Sequence, residues 1–265
     1  VATGDQLAAE ATSNRVRVIQ EEAPRGRILD VNGKVIVDNR ITRSIVVDRV
    51  QLADEKKKSQ VIDKLSKILE IDKKIIKSRI ADQRISPYKP VPIAIDVPFD
   101  RIQYIKERQD EFTGVDAVPL PVRRYPNGSL AAHLVGYVGE INDEELKDKK
   151  GDYQLGESTG KSGVELAYET YLRGKPSTKK VEIDVNGTVL RQISYDEPVP
   201  GNDVVLSVDI DLQRVAEESL AKQIEITRSV RDLNDKEKFS TFKAPGGSVV
   251  VVDPNNGFVR VLASF

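Results

Sequence analysis

The spacing of apolar and polar residues predicts short β-strands on either side of one helical segment. Alternating apolar and polar positions flank the dipeptide Asn186-Gly187, and the short apolar runs Ile28-Leu29 and Val35-Ile36-Val37 flank Asn32-Gly33. Alternation with a period of two is typical of half-buried strands. Asn-Gly favours the type I′ turn of a hairpin, because both central residues of that turn need positive φ. The pattern therefore predicts hairpins over residues 28–37 and 179–194.

Residues 52–112 carry a different period. Their apolar positions recur every three or four residues, and Lys and Glu fill many of the positions between them. A stripe of this kind is typical of an amphipathic helix packed on a core. The residues predicted to lie on the apolar stripes are Val61, Ile62, Leu65, Ile68, Leu69, Ile75, Ile76, Ile80, Ile102 and Ile105. We predict a helical subdomain inserted into a β framework.

The rest of the chain alternates between strand and helix patterns, which indicates an α+β fold. Helices are predicted before residue 22 (as a helix or arm), at 143–148 after the cap Asn142, at 164–172 before Gly174, and after a cap at Asp209 or Asp211. The last of these would place Leu212, Val215, Ala216, Leu220 and Ile224 on one face. Strands are predicted at 15–19, 44–48, 91–95, 115–125, 203–208, 248–252 and 258–263. Residues 131–138 read as strand or turn, residues 151–163 as a loop, and residues 198–202 as a domain boundary.

Composition excludes several classes of function. The 265 residues include 41 Lys and Arg against 42 Asp and Glu, a balance that argues against nucleic acid as a partner. The sequence has no Cys and a single His, His133, which excludes thiolate chemistry and multi-histidine metal sites. We predict no cofactor and no metal. Because the chain begins at Val1 and contains no Met, we expect it to be part of a longer protein.

Ser-x-x-Lys is the one catalytic pattern that recurs, since it sets a lysine one helical turn from a serine hydroxyl. Matches start at Ser86, Ser158, Ser177, Ser219 and Ser240. A penicillin-reactive site also needs Ser-x-Asn and Lys-Thr-Gly or Lys-Ser-Gly downstream. Ser-x-Asn is absent from the sequence, and Lys161-Ser162-Gly163 lies upstream of Ser240 and Lys243. A serine–lysine hydrolase that uses Ser240 and Lys243 remains an alternative.

Other candidate chemistry has a structural interpretation. Gly160-Lys161-Ser162 resembles the end of a phosphate-binding loop, but Leu155 stands where that loop needs Gly. The carboxylates from Glu140 to Glu145 lie at a predicted helix start, where acidic groups favour the helix dipole. His133 lies among apolar residues and is expected to be half-buried and structural.

Several motifs in order resemble one family, the class B penicillin-binding proteins. Residues 25–33 are similar to the Arg-Gly-x-Ile-x-Asp-x-x-Gly hairpin that opens the N-terminal module of that family. Residues 124–126 and 132–139 are similar to its Arg-x-Tyr-Pro and His-x-x-Gly-Tyr-x-Gly motifs, and residues 160–174 to its Gly-x-x-Gly-x-Glu…Tyr-Glu…Leu-x-Gly motif. Residues 201–213 and 250–257 resemble the start of the transpeptidase domain. The run at 160–165 together with Tyr153 is closer to the elongation type, penicillin-binding protein 2.

This resemblance implies a domain organisation. Residues 1–200 would form the pedestal or dimerisation module, with the helical head at about 52–112. Residues 201–265 would be the first elements of an incomplete transpeptidase domain. The family's nucleophile would lie beyond Phe265, so none of its catalytic residues carries over to this chain.

The resemblance also implies partners and a location. The expected job is to position the catalytic domain and to bind the peptidoglycan elongation machinery, namely a membrane glycosyltransferase of the SEDS family and shape-determining scaffold proteins. The location would be the extracytoplasmic face of a bacterial membrane, on an anchor before Val1. A stand-alone cell-wall adaptor is the alternative in the class of binding proteins.

The motif residues are expected to have structural roles. Arg25, Arg27, Asp30, Arg124 and Glu165 are candidates for a charged network that braces the framework and the following domain. The full set of candidate structural-motif residues is Arg25, Gly26, Arg27, Asp30, Gly33, Arg124, Tyr125, Pro126, His133, Gly136, Gly160, Gly163, Glu165, Glu169 and Gly174.

Overall fold

The computed structural model describes residues 16–52, 54–82, 90–148, 153, 157–183, 189–232 and 241–265. The first half contains β1 (Val16–Glu21), β2 (Ile28–Leu29), β3 (Val35–Val47), α1 (Glu55–Leu69), α2 (Lys73–Ala81), β4 (Val91–Ala94), α3 (Phe99–Glu107) and β5 (Val115–Arg124). The second half contains α4 (Ala132–Val135), β6 (Val138–Glu140), α5 (Asp143–Asp148), β7 (Ser158–Gly160), α6 (Gly163–Ala167), α7 (Glu169–Leu172), β8 (Ser177–Ile183), β9 (Val189–Asp196), β10 (Val204–Val205), α8 (Ile210–Ser229), β11 (Ser248–Val252) and β12 (Val259–Ser264).

A long antiparallel ribbon of β3 and β5 runs through the molecule, from the pair Asp38–Arg124 to the pair Val47–Val115. At one end β2 pairs with β3, and β10 pairs in parallel with β2. At the other end β4 pairs with β3. The sequence pattern predicts two strands where β3 is one continuous strand, and that prediction is wrong. The polar residues in the middle of β3 hide the alternation, and pairing with β5 keeps the chain extended.

The head, defined as residues 44–118, packs α1, α2 and α3 on the upper part of this ribbon. Its core joins helix residues such as Leu65 and Ile105 to the strand residues Ile45, Val47 and Val115, which lie outside the predicted bounds 52–112. The predicted helical stripes are confirmed except at Ile75, which is exposed. The Asp54 side chain accepts hydrogen bonds from the first turn of α1 and fixes where that helix begins.

The pedestal, defined as residues 16–43 and 119–206, has its own core around Ile28, Val37, Val135 and Leu172. Strand β1 pairs with β8 and β8 with β9, while β6 pairs with β7. Two predictions are wrong here: residues 132–135 form a short helix, and residues 158–160, expected in a loop, form a strand. The predicted helix 164–172 is divided at Tyr168 into α6 and α7. These elements are too short for periodicity to reveal.

A close approach between three chain segments holds the pedestal together. The Gly26 amide donates to the Leu172 carbonyl at 2.8 Å, and the Gly201 amide donates to the Pro24 carbonyl at 3.0 Å. A Cβ on Gly26 would lie 1.8 Å from the Asn202 carbonyl oxygen. Residues 198–202, which resemble a linker in the sequence, are therefore packed against the first hairpin.

The turn of that hairpin is organised by Asp30, which is fully buried. Its Oδ1 accepts from the amides of Asn32 and Lys34, and its Oδ2 accepts from the amide of Ile210, at the start of α8. The type I′ prediction is wrong, because Gly33 has φ of +79° but Asn32 is outside the positive region. Asp30 thus ties the turn to the next helix.

The last elements are α8 and the hairpin of β11 and β12. Asp209, and not Asp211, caps α8 by accepting from the amides of residues 211 and 212. The predicted apolar face of α8 is partly wrong, because Val215 is 60% exposed, as is much of Leu212, whereas Gln213 is buried. β11 exposes much of its valine run.

Some predicted features lie outside the described residues: the helix or arm before Val16, the Asn186-Gly187 turn and Ser240. Among the described residues, none of the helices has the length and apolar character needed to cross a bilayer.

The close approach at Gly26 predicts a large loss of stability for Gly26→Ala. The added methyl meets backbone, which cannot move aside as a side chain can, so we expect a loss of about 3 kcal/mol in the free energy of unfolding. Urea denaturation measures it. Gly139→Ala is the control, since a Cβ there meets only the flexible Lys161 side chain, at 3.1 Å. Equal effects of the two substitutions would contradict the packing argument.

Candidate functional site: a buried ion-pair network and the surface of the head

Arg25 lies between two buried carboxylates. Its Nη2 donates to Glu165 Oε2 and to Glu169 Oε2, both at 2.8 Å, and its Nη1 donates to Glu169 Oε1 at 3.2 Å. The Glu165 side chain is 0% exposed. Residue 25 follows β1, whereas residues 165 and 169 lie on α6 and α7, so the contact joins distant parts of the chain.

Arg123, and not the predicted Arg124, is the second cation of this network. Arg123 Nε donates to Glu165 Oε1 at 2.6 Å, and its Nη1 donates to the Gly26 carbonyl at 2.7 Å and to Asn39 Oδ1 at 3.1 Å. Neighbouring residues of a strand point to opposite faces. Arg124 accordingly points to the surface, where its Nε donates to Asp38 Oδ1 at 2.7 Å. Arg124 thus links β5 to β3 by a surface ion pair and is separate from the buried pairs around Glu165.

Glu169 has further partners that fix its charge. It accepts from the Tyr153 hydroxyl at 2.7 Å and from the Gly160 amide at 2.8 Å. Burial alone would raise the pKa of Glu169, but the hydrogen bond and charge of Arg25, with these two donors, lower it below its ordinary value. Burial and the hydrogen bond to Glu169 raise the pKa of Tyr153 to about 12. At neutral pH Glu169 is therefore ionised and the Tyr153 hydroxyl is protonated.

A second buried ion pair adjoins the first. Arg173 Nη2 donates to Glu157 Oε2 at 2.7 Å, and its guanidinium lies 3.6 Å from the centre of the Tyr153 ring. Sequence reasoning missed Arg173 and Glu157 in this role. Their ordinary appearance as charged residues in a loop and at a helix end gives no signal of burial.

The other predicted residues are dispersed. Arg27 pairs with Asp203 at the surface, and Tyr125 packs against the pedestal core with its pKa raised by burial and by Glu165. Pro126 is exposed. The prediction that His133 is half-buried is wrong, because its side chain lies at the surface and not in the pedestal core. There its Nε2 is 3.2 Å from the Leu262 carbonyl oxygen of β12. The remaining glycines, at positions 136, 160, 163 and 174, lie where a Cβ would meet backbone.

The network balances its charges and contains no nucleophile among the described residues. Buried ion pairs stabilise an arrangement only when every partner is present. Of the Ser-x-x-Lys matches, Ser158 and Ser177 lie in strands, and Ser219 lies with Lys222 on the exposed side of α8. Within the described ranges, no grouping of acidic or histidine side chains is suited to a metal ion.

Two arginine–aromatic pairs involve exposed rings of α3 in the head, and one of their arginines comes from the adjoining part of β3. With Ile41 of β3 these residues make up the set that we call the head patch: Ile41, Arg43, Phe99, Tyr104 and Arg108. The Arg43 guanidinium lies 5.5 Å from the centre of the Phe99 ring, and the Arg108 guanidinium 3.9 Å from that of Tyr104. Ile41 is 79% exposed and Phe99 is 63% exposed. Exposed apolar residues of this size commonly mark an interaction surface.

Residues 20–206 match the family described as "Penicillin-binding Protein dimerisation domain". The chain belongs to this family. The match includes the whole ion-pair network and the head, and the resemblance inferred from the motifs is confirmed. The penicillin-binding protein fold, predicted as α+β, is confirmed as well.

Relatives extend the comparison across the chain. The peptidoglycan D,D-transpeptidase MrdA of Acinetobacter baumannii is 33% identical over 98% of this chain and 35% of its own length. MrdA of Escherichia coli K12 is 28% identical over 96% of this chain and 37% of its own length. The chain thus spans about a third of the length of these relatives.

Solved structures share the fold. One, titled as a complex between penicillin-binding protein 2 and MreC from Helicobacter pylori, has a TM-score of 0.68 at 24% identity, over 94% of this chain and 43% of that chain. Penicillin-binding protein 2B from Streptococcus pneumoniae has a TM-score of 0.67 at 19% identity, over 94% and 49%.

The two neighbouring arginines of β5 provide a matched test of the network. Arg123→Met leaves Glu165 buried with one fewer cation, and we expect a loss of about 3–5 kcal/mol in the free energy of unfolding. Arg124→Met removes an ion pair at the surface, where water already solvates the guanidinium, and should cost much less. Chemical denaturation of both variants measures the difference. A larger cost at position 124 would refute the assignment.

Proposed function

We propose that this chain is the non-catalytic part of a peptidoglycan D,D-transpeptidase of the elongation type, and that it holds the catalytic domain in a fixed orientation. The ion-pair network carries this proposal, because Arg25 and Glu165, which are 140 positions apart, can pair only when the whole pedestal is assembled. An assembled pedestal is a rigid support. The names of the relatives support the reaction class.

The proposed domain organisation assigns residues 1–200 to the dimerisation module, which includes the pedestal framework and the head, and residues 201–265 to the opening of the transpeptidase domain. The family match, which ends at residue 206, supports this division. The fit of β10 beside β2 and of Asp30 against the start of α8 supports a firm joint between the two parts.

We propose that catalysis takes place outside this chain. Of the described Ser-x-x-Lys matches, those that start at Ser158 and Ser177 lie in strands, and Ser219 with Lys222 lies on the exposed side of α8 without the enclosed cleft that activates a serine. The network around Arg25 supplies orientation and not a reacting group.

The head patch is proposed to bind a shape-determining scaffold protein. A neighbouring fold was solved as a complex of penicillin-binding protein 2 with MreC, which supports a partner of that kind. Aromatic rings backed by arginine are suited to apolar and acidic side chains of a partner. The SEDS glycosyltransferase, a membrane anchor before Val1 and a position on the extracytoplasmic face belong to the same proposal and follow from family resemblance.

Incubation of the purified chain with penicillin tests the non-catalytic assignment. We expect the intact mass to remain unchanged, because the reacting serine of the family is proposed to lie elsewhere. A covalent adduct, mapped by peptide mass spectrometry to Ser240, would refute the assignment and favour the serine–lysine hydrolase.

Calorimetry with the MreC-type scaffold protein of the same bacterium tests the head patch. We expect Phe99→Ser to weaken binding at least tenfold, because it removes a largely exposed ring and its contact with the Arg43 guanidinium. Leu190→Ser is the control, since Leu190 is 61% exposed on β9, in the pedestal. Equal weakening by both variants, or by neither, would exclude the head patch as the binding surface.

A further inference from the structure

The outer edge of β12 is covered by a loop and a helix end and not by a strand. On its inner side β12 pairs with β11. On its outer side the Ser207 hydroxyl donates to the Val259 carbonyl at 2.8 Å, and the Asp209 amide donates to the Arg260 carbonyl at 3.0 Å. Segment 207–213 therefore fixes the position of β12.

The Gln213 side chain binds the main chain of β12 as the backbone of a neighbouring strand would. Its Nε2 donates to the Leu262 carbonyl at 2.8 Å, and its Oε1 accepts from the Leu262 amide at 2.9 Å. A primary amide that binds both main-chain groups of one residue does what the peptide of a paired strand would do. The Gln213 side chain is 0% exposed, so water cannot replace these bonds.

The same side chain reaches the pedestal. Gln213 Nε2 also donates to Glu217 Oε1 at 2.8 Å, and that oxygen accepts from the Ala131 amide at 2.9 Å. Ala131 is buried with φ of +56°, a conformation that costs a non-glycine residue energy and therefore needs support. Ala131 begins α4, whose His133 Nε2 lies 3.2 Å from the Leu262 carbonyl oxygen. These contacts form a closed loop through α8, β12 and α4.

We propose that Gln213 is a positioning residue that couples the pedestal helix α4 to strand β12, with Glu217 as the link. This inference takes one assumption from the proposed function, namely that β12 belongs to the catalytic domain. Motion of α4 against α8 would break the contact with Ala131, and through Glu217 and Gln213 it would release Leu262. The pedestal thus sets the position of the strand as well as supporting the domain.

Amide hydrogen exchange on this chain, read residue by residue by NMR, tests the coupling. Gln213→Leu should accelerate exchange at the Leu262 amide and also at the Ala131 amide, each on the order of tenfold, the effect of losing one hydrogen bond. Glu217→Ala should accelerate exchange strongly at Ala131, which loses its acceptor, and to a smaller but measurable extent at Leu262, because Gln213 loses the Glu217 contact that holds its amide. Glu217→Gln keeps an acceptor oxygen and should restore the protection of Ala131.

Ser207→Ala is the matched control, because it removes a bond to β12 that has no connection to α4. It should leave the Ala131 amide unchanged. If Gln213→Leu affects Leu262 alone, Gln213 only fills the core and the proposal is overturned. The same conclusion follows if Ser207→Ala affects Ala131 as strongly as Gln213→Leu does. If Gln213→Leu does not fold, the milder variant Glu217→Gln decides the question. Fast exchange at the Ala131 amide in Glu217→Gln would then overturn the proposed coupling.

The full-length transpeptidase to which this chain is proposed to belong allows a measurement of function, namely the rate at which fluorescent penicillin acylates it. Gln213→Leu should lower the maximal rate of acylation by fluorescent penicillin about tenfold with little change in the concentration for half-maximal rate, and Glu217→Gln should match the unmodified protein. An unchanged maximal rate would overturn the positioning role. An unmodified longer protein that does not react would instead refute the proposed function and leave the exchange result standing.

Discussion

The pairing of Arg25 and Arg123 with Glu165 is the constraint on which the pedestal depends. Removing charges from water is costly, and the cost is recovered only when each ion meets its partners at once. Here the partners come from the segment after β1, from β5 and from the helices α6 and α7. An incomplete pedestal would leave a carboxylate or a guanidinium buried alone. The network therefore favours one complete arrangement over partly assembled ones, as a support for another domain requires.

Much of the fold can be predicted from periodicity, and the failures have physical causes. The helices of the head follow from their apolar stripes, because each packs one face on a core. The short helix α4 and the break that divides the predicted helix 164–172 into α6 and α7 do not, because tertiary contacts and not local preference stabilise so few residues. For the site, prediction from sequence cannot tell Arg123 from Arg124, because both fit a strand. The position of α6, which carries Glu165, decides which of the two is buried. Gln213 is similar, since its role becomes visible only once β12 lies beside it.

The head and the pedestal differ in how they are stabilised. The head depends on aliphatic packing, with its charges left at the surface. The pedestal relies on buried ions, on backbone contacts at Gly26 and on the Asp30 side chain. Hydrophobic packing tolerates substitutions of similar volume, whereas a buried ion pair or a glycine contact tolerates very little. Sequence change should therefore be freer in the head than in the pedestal.

Two prolines remove hydrogen-bond donors from the outer edge of β5. Pro119 and Pro121 lie in β5 opposite Arg43 and Ile41, at positions with the same parity as Ala117, whose amide donates to the Asp116 side chain and so points away from β3. Neither proline has an N–H to offer on that outer side, and an incoming strand would find no donors there. At these positions the outer edge of β5 therefore cannot template a further strand, which lowers the tendency of the ribbon to aggregate through edge-to-edge pairing.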